Sequence, residues 1–232
     1  MGIPILFGFI LSAPTTMNIV FWQWANQTFS AGVNYANRNA SSNLDTKGIV
    51  TAYTAAWCAS IGIGLGTKKI LEPYSKIFKG SGSLFINFFI SLAAVGSAGF
   101  INLLIMRSRE MKEGIMLIDH EGTERGRSKN IGIKAVLTTA LTRFIMPIPP
   151  LLLPTLAFYY MENRSLIPKN KIAKMSMEAL IFFASWAIAP PLAWALFKQT
   201  NSTNISKLES NFHNLKDSTG CEVTELFYNK GL

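Results

Sequence analysis

The residues best suited to chemistry lie inside apolar sequence. Arg143 stands nine residues after Lys134 and is followed at once by Pro147, Pro149, Pro150 and Pro154. Proline lacks the N–H a helix needs, and its ring clashes with the carbonyl one turn back. Four prolines within eight residues are therefore expected to stop a continuous helix. Carbonyls freed in this way tolerate lipid depth only beside protein or a water-lined cavity. An unpaired arginine at mid-membrane costs at least ~2.5 kcal/mol, so Arg143 should face protein or water. Glu178, in the first turn of another apolar segment, is a candidate partner that would make the pair a structural salt bridge. Lys134 lies near a segment end and can snorkel. Three amides, Asn18, Asn87 and Asn102, also fall within apolar segments. They should face one another or a cavity, either as glue between helices or as contacts to a bound molecule.

Such a group suits a small zwitterion. Positive potential meets a carboxylate, freed carbonyls meet an ammonium, and amides read a hydroxyl. This is recognition without bond making. No Ser–His–Asp order, inward carboxylate pair or G-x-S-x-G motif occurs, so no catalytic residue and no cofactor is expected, and the protein is expected not to be an enzyme. Asp119, His120, Glu121 and Glu124 share one Gly/Arg-rich loop in which neighbours point apart; a solvated loop, not a metal site, is expected.

The elements that must position these residues are read from the charge pattern. The chain has 232 residues, 22 basic and 13 acidic, with a net charge of +9 and a mean hydropathy of +0.26. All of that charge falls in less than half of the positions, because residues 1–37, 48–67, 80–106, 144–161 and 179–197 carry none. A soluble fold intersperses charge with apolar residues. Segregated blocks exclude an ordinary soluble enzyme, a disordered chain and a nucleic-acid module. The positive excess is spread through loops and suits lipid head groups. Cys58 lies in an apolar block and Cys221 in polar sequence, which excludes a disulfide framework.

About five stretches reach the roughly 20 apolar residues that a spanning helix needs: 2–21, 49–67, 84–106, 131–160 and 175–197. The expected fold is all-α: a polytopic membrane domain over residues 1–197, with the fourth and fifth helices broken by proline (Pro190 and Pro191 in the fifth), and a polar tail over 198–232. Trp22, Trp24, Tyr159 and Tyr160 are expected at the membrane interfaces. The run Ala93–Gly99 provides the small residues that close helix approach in lipid requires. Residues 62–69, Gly-Ile-Gly-Leu-Gly-Thr-Lys-Lys, match neither a dinucleotide fingerprint nor a P-loop, so helix packing is expected there. Five spans put loops 68–83 and 162–174 on one side, with the higher basic density; that side is expected to face the matrix, and the tail the opposite side.

The block Phe21-Trp22-Gln23-Trp24-Ala25-Asn26-Gln27-Thr28-Phe29, continuing to Asn34, Tyr35, Asn37 and Arg38, resembles the sideroflexin family of mitochondrial inner-membrane carriers. Residues 107–115 with Asp119, Gly122, Gly126 and Ser128 are similar to that family's central loop, and residues 228–232 to its C-terminal signature. The resemblance implies a multi-pass protein of the mitochondrial inner membrane. It implies transport of serine, with other small neutral amino acids as further candidates, in support of one-carbon metabolism. The implied partners are that substrate and membrane lipid, with no nucleic acid. A non-transporting scaffold or assembly protein, or an inactive shortened form, is the alternative. Family members open with a polar region bearing a His-Pro-Asp-Thr-type motif, whereas Met1 here leads almost directly into apolar sequence, so a shortened form, a fragment or a divergent product is expected.

Overall fold

A computed structural model describes residues 3–13, 15–36, 46–76, 82–196, 200–213, 215–218 and 220–230. It is mostly helical: α1 (Ile3–Leu11), α2 (Thr16–Ala36), α3 (Thr46–Leu71), α4 (Gly82–Met106), a short α5 (Ser108–Glu113), α6 (Lys129–Ile145), α7 (Ile148–Asn163) and α8 (Lys171–Leu196). Strands β1 (Ile115–Ile118) and β2 (Glu124–Ser128) separate α5 from α6, and β3 (Thr200–Asn204) and β4 (Glu225–Asn229) follow α8.

Helix α4 is the hub, packed against α1, α3, α6 and α7. Its small residues make this possible. Ala94 and Ala98 are fully buried, a Cβ on Gly96 would lie 2.4 Å from the Phe144 ring, and one on Gly99 would lie 3.1 Å from Arg143 Cβ. The expected close approach is made to α6 by Gly96 and Gly99 and to α3 by Ala94. The glycine-rich run is helical throughout: Gly64 abuts Ala94 and Ile19, while Gly62 and Gly66 face open space.

Three stretches among the described residues are long and apolar enough to cross a membrane: Lys47–Tyr74, Leu84–Met106 and Lys129–Asn163. The chain is a helical, multi-pass membrane protein. The expected first span is corrected. Helix α1 has nine residues, about 13 Å against the ~30 Å of a bilayer core, and the chain leaves the helix at Ser12 and Ala13 before α2 begins. The expected proline breaks are corrected too. Met146 and Pro147 separate α6 from α7, yet both keep right-handed helical dihedrals. Pro149 and Pro150 occupy the first turn of α7, where the missing N–H groups have no intrahelical acceptor in any case. Pro154 lies inside α7, and α8 stays helical through Pro190 and Pro191. The cluster starts a helix instead of ending one.

The stretch expected to be a polar tail folds back. One four-stranded antiparallel sheet has the order β2-β1-β4-β3, so the tail pairs with the central loop. Leu117, Leu226 and Tyr228 form its core with Ile131 of α6 and Phe212. Asp119 is buried at the hairpin turn, where its Oδ1 accepts from the Glu121 and Thr123 N–H groups and its Oδ2 meets Arg125 at 2.6 Å. Burial raises that carboxyl, but the Thr123 N–H, the Arg125 guanidinium and the Glu121 N–H outweigh it and hold it below its ordinary value. His120 and Glu121 point outward, and no metal-capable cluster occurs among the described residues.

Candidate functional site

The chain's departure from helix between α1 and α2 builds the site. A helix leaves its last carbonyls without intrahelical donors, and in a bilayer these need side-chain partners. Side chains from α2 and α4 supply them. Asn87 Nδ2 donates to the Ser12 carbonyl at 2.9 Å, Asn18 Nδ2 to the Ala13 carbonyl at 2.9 Å, and the Ser91 hydroxyl to the Phe9 carbonyl at 3.4 Å. Trp22 Nε1 donates to Ser12 Oγ at 2.9 Å. The start of α2 is capped by Thr15, whose hydroxyl oxygen accepts from the Asn18 N–H at 3.2 Å. Gly8 makes room for the indole, since a Cβ there would lie 2.0 Å from the Trp22 ring.

These groups line a half-open cavity of about 20 Å³, room for one water molecule. Gln23 lines it. That side chain is 1% exposed, and its Oε1 is buried with no hydrogen-bond partner among the described residues. An unmet buried acceptor costs ~1–3 kcal/mol.

Of the residues singled out from sequence, Asn18 and Asn87 meet here. Asn102 does not. It lies half-buried fifteen residues beyond Asn87 on α4, roughly 22 Å along the axis. Arg143 also lies elsewhere, near the middle of Lys129–Asn163, half-buried, with its stem against Gly99 and Nη1 3.6 Å from Met146 Sδ. Gly99 is eight residues from Ser91, or roughly 12 Å along α4, so one small amino acid cannot touch Arg143 and the cavity together. Glu178 is buried and pairs with Lys174 of its own helix at 3.8 Å, in place of the expected contact with Arg143. Pro150 is buried, and Pro147 and Pro149 are half-buried beside the α6–α7 junction. Lys134 is exposed, in keeping with a snorkelling position.

The signature block forms one helix, α2, and its faces differ. Gln23, Asn26 and Gln27 are buried, at the i, i+3, i+4 spacing of one helical face. Trp24 is exposed, but Trp22 turns inward, which corrects its expected interfacial role. Tyr159 and Tyr160 are exposed, with Arg164 5.7 Å over the Tyr160 ring. Asn34 and Tyr35 lie in the last turn of α2, and Asn37 and Arg38 lie outside the described residues. Ser12 and Ser91 were not legible as site residues, and Gln23, singled out as part of the signature block, was not read as lining a site; the one sequence signal for that was the polar i, i+3, i+4 stripe following Pro14.

The sideroflexin family model matches residues 1–232. A sideroflexin of Dictyostelium discoideum is 35% identical over 229 residues, covering 97% of this chain and 68% of that protein. Sideroflexin-5 of Homo sapiens is 34% identical over 231 residues, covering 100% of this chain and 66% of its own length. Sideroflexin-1 of Mus musculus is 30% identical over 218 residues, with coverage of 94% and 65%. The chain thus spans about two thirds of the length of the curated relatives it matches. No solved structure matches it. On a whole-chain family match and relatives at about a third identity across its length, the chain belongs to the sideroflexin family.

Proposed function

We propose that this protein carries serine and other small neutral amino acids across the mitochondrial inner membrane, supplying one-carbon metabolism, and recognises them at the α1–α2 cavity. Family membership supports carriage. The observation that carries the assignment to this site is the interruption after α1, whose Ser12 and Ala13 carbonyls, met by Asn87 and Asn18, line a half-open polar cavity together with Gln23. Interrupted helices with amide-lined cavities between spanning segments are where transporters place small polar substrates. A water-sized cavity admits only one end of an amino acid, so α1 must move away from α4 during a transport cycle. Arg143 is a second station roughly 12 Å along α4, where positive potential draws the substrate carboxylate.

One observation favours a scaffold instead: the recorded donors in the cavity are spent on the protein's own carbonyls, as packing alone would require. Reconstitution separates the two. Proteoliposomes of the purified protein should accumulate labelled serine above protein-free vesicles, and unlabelled small neutral amino acids should compete. Uptake no greater than in empty vesicles would leave the scaffold.

A further inference from the structure

We infer that the protein is an exchanger: Arg143 lets a carrier loaded with a small carboxylate pass between its two open states and holds an empty one back. The inference rests on the reading of Arg143 as a substrate station. A guanidinium carries five N–H donors and no acceptor. Among the described residues its one hydrogen-bond contact is Nη1 to the Met146 thioether at 3.6 Å, and a thioether sulfur is a weak acceptor. No carboxylate among the described residues pairs with it: Glu110 is taken by Arg107 and Glu178 by Lys174. The site is a cation short of an anion.

Helix dipoles do not make up the difference. Arg143 lies in the last turn of α6, whose end carries roughly half a negative charge, but α7 begins at Ile148 and its start carries about the same charge of opposite sign. A full positive charge therefore stands near the middle of the span Lys129–Asn163. Its stem is packed on Gly99, and part of the side chain stays accessible. In a carrier open to one side, water solvates that part. Between the open states the path closes and the water leaves, so an empty carrier must hold a bare charge at a depth where it is costly. A bound carboxylate replaces the water with a charge-assisted hydrogen bond and cancels the charge. The loaded carrier crosses; the empty one returns slowly. Substrate on the far side is then what brings the site back, and rapid transport is an exchange of one amino acid for another.

The test varies what waits inside the vesicle. Proteoliposomes of the purified full chain are loaded with unlabelled serine, with serinamide or with buffer alone, and the initial uptake of labelled serine is timed. Internal serine should speed uptake about tenfold or more over buffer. Serinamide keeps the hydroxyl and the amino group but has no carboxylate, so it should not. In Arg143→Met the loaded and unloaded rates should converge to within about twofold, whereas Arg143→Lys, which keeps the charge, should still respond to internal serine. Equal rates with and without internal serine, equal stimulation by serinamide, or undiminished stimulation in Arg143→Met would overturn the proposal. The first of these leaves the carrier reading standing; no uptake under any loading removes that reading and the exchange with it.

Discussion

Arg143 and Gln23 are two polar side chains at bundle depth with different consequences. The guanidinium of Arg143 sits against Met146 while its stem covers Gly99, so its packing and its charge are separable. Arg143→Met keeps most of the stem and removes a charge that costs at least ~2.5 kcal/mol to hold at that depth. Abundance of the variant should therefore hold or rise. As the second station, Arg143 should still matter for transport: serine uptake is expected to fall about tenfold, corresponding to about 1.4 kcal/mol. Adding Glu178→Gln should restore nothing, because Glu178 pairs with Lys174. Unchanged uptake in Arg143→Met would remove the second station. Asn18 and Asn87 were legible in the sequence because an amide in an apolar segment must find a partner. Gln23 was legible as part of the signature block, but only its helical phase, with Asn26 and Gln27, turns it inward.

Element ends decide this fold more than element interiors. The prolines after Arg143 promised an interruption, but a proline in the first turn of a helix costs no hydrogen bond, and Pro149 and Pro150 lie there. The interruption instead falls between α1 and α2, inside a single apolar run whose hydropathy hides it. The start of α6 shows the reverse dependence, a helix capped from far along the chain. Ser128 caps it by accepting from the Ile131 N–H, and Glu209 accepts from the Asn130 N–H at 3.0 Å and the Ser128 hydroxyl at 2.7 Å. Burial raises the Glu209 carboxyl, but these hydrogen bonds outweigh it and hold it below its ordinary value. Asp119 is held down likewise by its turn and Arg125. Carboxyls held low in the folded state add stability that is complete above their unfolded values, about 4.3 and 3.9, and is lost as pH falls through the lower folded values. The sheet should thus loosen from α6 below about pH 4, read as faster amide exchange in β1 and β4 while the helices stay protected. Glu209→Gln should blunt the pH dependence and cost roughly 0.5–1 kcal/mol. A pH profile identical in Glu209→Gln and the parent would refute this linkage.

The whole molecule couples an apolar bundle to a sheet assembled from two distant segments. The membrane class was legible because charge is segregated into blocks. Pairing of the two segments in one sheet was not legible. Residues 225–229 are too few to show a strand period, and their pairing with the central loop, Phe227 to Ile118, spans about a hundred positions. Lys230 then ties the sheet to the bundle, its carbonyl accepting from the Thr139 hydroxyl at 3.2 Å. Helices α1, α2 and α4 meet at the cavity proposed to hold the substrate. The most direct measurement introduces Ser91→Cys, nearly isosteric, in a background with the exposed Cys58 and Cys221 replaced by serine. The rate of modification by a small methanethiosulfonate reagent is followed in transport-active proteoliposomes. Saturating serine is expected to slow the reaction at least fivefold, since an occupied site excludes the reagent, a protection that corresponds to about 1 kcal/mol or more. Labelling at the same rate with and without serine, in vesicles that still take up serine, would place the substrate elsewhere and contradict the account.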